Sequence, residues 1–123
     1  MHRISLGLLL LLTLLFVAQC SRTPPVALNQ ETAQRAVDAW AKSQSFTGQI
    51  KAAPPKITSD LVGVGLECTD FHFTFEGQPR TFSGTGMADF KKESDGRWIL
   101  DDVQLFQISG GQYPAFKIGS EVK

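Results

Sequence analysis

Leu61-Val62-Gly63-Val64-Gly65-Leu66-Glu67-Cys68-Thr69-Asp70-Phe71-His72-Phe73-Thr74-Phe75 is the stretch on which the fold turns. Its apolar residues recur every second position, the period of a strand with one buried face. Val62, Val64, Leu66 and Cys68 share one parity, whereas Phe71, Phe73 and Phe75 share the other. A regular strand would therefore turn half of them to water. Something must happen at Thr69-Asp70. A β-bulge adding one residue restores the inward face, and it is the better reading because Thr-Asp is a poor two-residue turn beside Asn-Gly.

The same period continues downstream. Glu76-Gly77-Gln78-Pro79-Arg80 carries turn chemistry, and the next strand sets Phe82, Gly84, Gly86, Ala88 and Phe90 on one face. The two central glycines leave a groove there, expected to admit Trp40. Lys91 to Arg97 is a hairpin with Asp95-Gly96 at its tip, followed by a strand from Trp98 to Ile108 interrupted at Asp101-Asp102. Gly110-Gly111 supplies a turn before a short strand from Tyr113 to Ile118. About four antiparallel strands result.

Upstream the period is different. Ala33, Ala36, Val37, Trp40 and Ala41 recur at three- and four-residue spacing, flanked by Gln34, Arg35, Asp38 and Lys42. Asn29 is the N-cap, Glu31 sits in the first turn, and Leu28 with Ala33 forms a hydrophobic staple. This predicts a helix from Gln30 to about Ser45, with Gly48 near its exit and Pro54-Pro55 barring further helix. The fold class is α+β, one N-terminal helix packed on a curved antiparallel sheet.

Met1-His2-Arg3 precedes an uncharged apolar run from Ile4 to Ala18, then Gln19-Cys20-Ser21. The run is shorter than the ~20 residues a membrane-spanning helix needs, so a cleaved export signal over residues 1–20 is expected. A polar, proline-stiffened tether over residues 21–28, a single domain over 29–118 and a tail over 119–123 complete the chain.

Leu15-Phe16-Val17-Ala18-Gln19-Cys20 resembles the bacterial lipobox. Val17 and Ala18 fit that pattern, Cys20 matches the residue that receives diacylglycerol, and Gln19 departs from the small residue the family carries there. The resemblance implies a lipid-anchored envelope protein, with Ser21 after the cysteine implying sorting to the outer membrane, so that the membrane itself is one partner. A cut after Cys20, with Ala18 and Cys20 as the two small residues, would instead leave a secreted domain.

Twelve basic and twelve acidic side chains balance to zero, which gives no electrostatic footprint for nucleic acid. Of two cysteines, Cys20 belongs to the signal, leaving Cys68 without an intrachain partner; its strand parity points it into the core as a small hydrophobe.

The Val37-x-x-Trp40 helix and the hairpin Asp95-Gly96-Arg97-Trp98-Ile99-Leu100-Asp101-Asp102-Val103 resemble cystatin-like domains and the related nuclear transport factor two-like domains, over about Asn29 to Ile118. The first resemblance implies a helix cradled by a sheet. The second implies a pocket between the two, although only one helix is visible to close it.

Three sets of residues invite chemistry. Cys68, Asp70 and His72 would share a face in an unbulged strand, an arrangement open to a metal or a Cys-His pair, but the bulge breaks it. Asp101 and Asp102 are adjacent in a strand, so their carboxylates are expected to diverge. Trp40, Phe82 and Trp98 are the candidate ligand-binding residues, should a pocket form. No glycine-rich phosphate loop, nucleophile elbow or zinc spacing occurs, so no catalytic residue, metal or cofactor is assigned. The leading expectation is an exported, lipid-anchored binding module for an envelope partner. The alternative is a small periplasmic enzyme or ligand carrier of the nuclear transport factor two-like type.

Overall fold

The computed structural model describes residues 24–106 and 114–123. Helix α1 (Gln30–Ser43) precedes five strands, β1 (Thr47–Ala52), β2 (Leu61–Phe75), β3 (Gln78–Lys92), β4 (Trp98–Leu105) and β5 (Ala115–Glu121). They form one antiparallel sheet in the order β1-β2-β3-β4-β5. The export signal, Cys20 and the Gly110-Gly111 turn lie outside the described residues.

The strand stretch behaves as its parity requires. Cys68 pairs with Gly84 and Phe71 with Phe82, so Thr69 and Asp70 together face Ser83 alone. Asp70 takes φ 47° and its amide donates to Ser83 Oγ at 3.0 Å. This bulge lets Val62, Val64, Leu66, Cys68, Phe71 and Phe73 all point inward, each no more than 4% exposed. Each fully buried side chain of this kind is worth about 1.5–3 kcal/mol, far more than one disrupted ladder position costs.

The fifth strand is β1, over residues that sequence analysis leaves as a helix exit. It turns only Ile50 and Ala52 inward, too few to display a period. Gly48 belongs to it, at φ +98°, and a Cβ there would lie 2.1 Å from the Asp70 carbonyl oxygen. The β2 bulge thus backs directly onto this glycine. The outer edge of β1 is covered by the helix: Gln34 Nε2 donates to Ile50 O and Gln34 Oε1 accepts from Ala52 N, both at 2.7 Å. One amide side chain imitates a neighbouring strand and blunts an edge that would otherwise invite pairing.

Helix α1 starts where its cap predicts. Asn29 Oδ1 accepts from Thr32 N and Thr32 Oγ1 accepts from Asn29 N, both at 2.9 Å, a capping box closed by threonine. Leu28 and Ala33 are both buried. Val37, Trp40 and Ala41 then face the sheet. Trp40 does not sit on the β3 glycines. Its ring packs against Phe46, Phe71 and Phe116 at 5.2–6.3 Å. The glycines admit other neighbours: a Cβ on Gly84 would lie 2.9 Å from the Phe82 ring, and one on Gly86 2.6 Å from Gln104 O of β4. At the far end β5 continues past Ile118, and Val122 is buried, its amide donating to Trp98 O.

Candidate functional site

The helix-facing side of the sheet is core. Trp40, Phe82 and Trp98 are each at most 9% exposed and belong to it. Trp40 also borders a groove with Ala36, Ala39 and Ser120, which neither Phe82 nor Trp98 lines. Trp98 instead lies under the Lys92 ammonium, 6.0 Å from its ring centre. The three are therefore not brought together around one cavity.

Cys68 and His72 are separated by the bulge as expected. The thiol is buried, and burial pushes its pKa up to about 11, which suppresses the thiolate. His72 is exposed, with Nδ1 3.0 Å from Thr81 Oγ1.

The chemistry gathers on the other face. Register pairs Gly63 with Asp89, Asp89 with Asp102, and Asp102 with Lys117, a row running across β2, β3, β4 and β5. Ala88, Phe90 and Val103, the chain neighbours of the two acids, are at most 1% exposed on the helix side. Both carboxylates therefore point outward. Gly63 keeps the row open: a Cβ there would meet Met87 Sδ at 3.0 Å and Asp89 Oδ1 at 3.5 Å. Beside the row is a groove of about 290 Å³, lined by Leu61, Asp89, Lys91, Asp101 and Asp102 among others. Leu61 is 72% exposed at its side.

Asp101 and Asp102 do not diverge as adjacent strand residues should. Register slips between Asp89 and Phe90 against β4, and between Leu100 and Asp102 against β5. Against β3 Asp101 is the extra residue, whereas against β5 it faces Ile118 and Gly119 together, and both acids border the groove.

Like charges opposite one another on neighbouring strands are destabilising. Here one of them is nearly buried: Asp102 is 8% exposed. Its Oδ2 accepts from Lys117 Nζ at 3.2 Å, whereas its buried Oδ1 has no hydrogen-bond donor. Two ionised carboxylates cannot hydrogen-bond each other, so the contact is completed only when one holds a proton. Asp89 is the one that does. Its pKa is pushed up to about 6, first by burial, then by its hydrogen bond to Asp102 and by repulsion from Asp102 and Asp101, with Lys117 opposing. Asp89 therefore keeps its proton in mild acid and loses it near neutrality.

A larger groove, about 410 Å³, lies between the start of α1 and the β1–β2 ladder. Its charged residues, Lys51 and Glu67, are exposed and oppose each other across the ladder. It concentrates no comparable strain.

Asp89 is not among the residues that the sequence pattern singles out. The signal was present: counting outward from the Asp95-Gly96 tip sets Lys92 opposite Trp98 and Phe90 opposite Leu100, which brings Asp89 against the Asp101-Asp102 pair. Comparison with protein-family models, curated proteins and solved structures returned no match. Fold and site together define an α+β domain, a helix on a five-stranded antiparallel sheet, with an acidic row on its outer face.

Proposed function

We propose that this chain is an exported, lipid-anchored envelope protein whose domain, of cystatin-like arrangement, serves as a binding module and engages its partner through the outer face of the sheet. The apolar leader and Cys20 support the first part. The observation that carries the second is the Asp89–Asp102 pair: two carboxylates stand opposite each other on neighbouring strands, beside a groove, on the face the helix does not cover. A carrier or enzyme with a pocket between helix and sheet is the lesser reading, because Ala33, Val37, Leu100 and Val103 fill that space with no exposure.

Two experiments test this reading. Mass spectrometry of the mature N-terminus is expected to show acylated Cys20; an intact Met1 on a cytosolic protein would overturn the export step, and an unmodified Ser21 would replace the anchor with secretion. A photo-crosslinker at Thr85, exposed on the outer face, is expected to capture a discrete envelope partner, whereas one at Asp38, exposed on the helix, is not. Equal capture at both positions, or at neither, removes the outer face as the interface.

A further inference from the structure

The groove beside the acidic row has the chemistry of a receptor for one particular kind of group, and this inference rests on the binding-module reading. We propose that the Gly63–Asp89–Asp102–Lys117 row binds a guanidinium cation, the arginine side chain of a partner, which displaces the Lys117 ammonium and bridges the two carboxylates.

The unsatisfied atom selects the ligand. Lys117 reaches only Asp102 Oδ2, and its side chain is 84% exposed, so it is a weakly held cation at the rim. It leaves Asp102 Oδ1 without a donor and leaves Asp89 facing a second carboxylate. A single group that satisfies both must carry a positive charge and several N–H donors in a fixed fork. Guanidinium does, whereas an ammonium is a point charge already represented by Lys117. A bare metal ion is the poorer fit, since no set of three or more acidic, histidine or cysteine ligands converges among the described residues. The groove supplies the rest: Gly63 and Asp89 line it side by side, and exposed Leu61 offers an apolar wall for the methylene stem of an arginine.

A proton gates the site. Protonated Asp89 offers a cation no charge, and loss of that proton sets two carboxylates side by side at the groove. The charged groups facing Asp89 are Asp101 and Asp102 from β4, Lys117 from β5 and Lys91 two residues along β3, whose ammonium is 3.8 Å from Glu93; β2 presents Leu61 and Gly63, which do not titrate. Binding therefore strengthens as pH rises through about 6.

The test uses N-acetylargininamide titrated into the full-length protein in detergent, followed by amide shifts of Gly63, Asp89 and Asp102. Affinity is expected to be about tenfold weaker at pH 5 than at pH 7.5, the ratio set by a carboxyl titrating near 6. N-acetyllysinamide and Ca²⁺ should shift these amides far less. Asp89→Asn should weaken binding by about tenfold or more, and Lys117→Met should tighten it several-fold, each with an otherwise unchanged amide spectrum. Equal response to the lysine probe, a stronger response to Ca²⁺, no pH dependence, or undiminished binding by Asp89→Asn would overturn the proposal. If the probe fails while crosslinking at Thr85 persists, the guanidinium inference falls alone and the binding module stands.

Discussion

Replacing Asp89 by asparagine is expected to make the protein more stable at neutral pH. In the native state Asp89 sits beside Asp102 with its pKa raised from an ordinary 3.8 to about 6. The folded form therefore holds a proton that the unfolded chain has already released between those values, and stability falls as pH rises through this window. A rise of this size corresponds to roughly 3 kcal/mol of native-state cost once Asp89 is ionised. Solvent at the groove screens the charge, leaving about 1–2 kcal/mol. Asparagine removes the charge and supplies a permanent donor beside the Asp102 carboxylate. Thermal unfolding at pH 4 and pH 7.5 reads the difference: the variant should unfold about 4–12 °C higher than the parent at pH 7.5 and within a degree or two of it at pH 4. Parallel pH profiles for parent and variant would refute the reasoning, because they would mean that folding does not raise the Asp89 pKa.

Three further perturbations probe the frame that holds the row. Gly48→Ala should destabilise by at least about 1–3 kcal/mol in urea unfolding, since a Cβ would lie 2.1 Å from Asp70 O at a positive φ. Gln34→Ala should cost about 1–2 kcal/mol and increase self-association in sedimentation, as the freed β1 edge loses its two side-chain hydrogen bonds. Cys68, buried and with its pKa pushed up to about 11, should resist a maleimide in the native protein and react on unfolding; rapid native labelling at pH 7 would contradict its inward position.

The fold was legible wherever a burial period ran long enough. Six inward residues of β2 forced a bulge at Thr69-Asp70, and the helix announced itself through Asn29 and the Ala33–Ala41 stripe. Strand β1 was not legible, because Ile50 and Ala52 alone make no pattern and its edge is completed by Gln34, a contact between distant parts of the chain. The site was half legible. Asp101-Asp102 stood out, but the rule that neighbours in a strand diverge fails at a bulge, and that bulge is fixed by pairing with β3. Asp89 required the hairpin register to be followed across the sheet. The candidate trio Trp40, Phe82 and Trp98 presupposed a pocket between helix and sheet, and all three are buried in the core, where large aromatics more often pack than contact ligands.

The most direct measurement follows the side-chain carboxyl carbons of Asp89 and Asp102 by NMR from pH 3 to pH 9. The opposed carboxyls predict a transition near 6 at Asp89. An Asp89 transition close to its ordinary 3.8 would show that burial and its acidic neighbours do not act on it, and the acidic row would lose its claim to be a site.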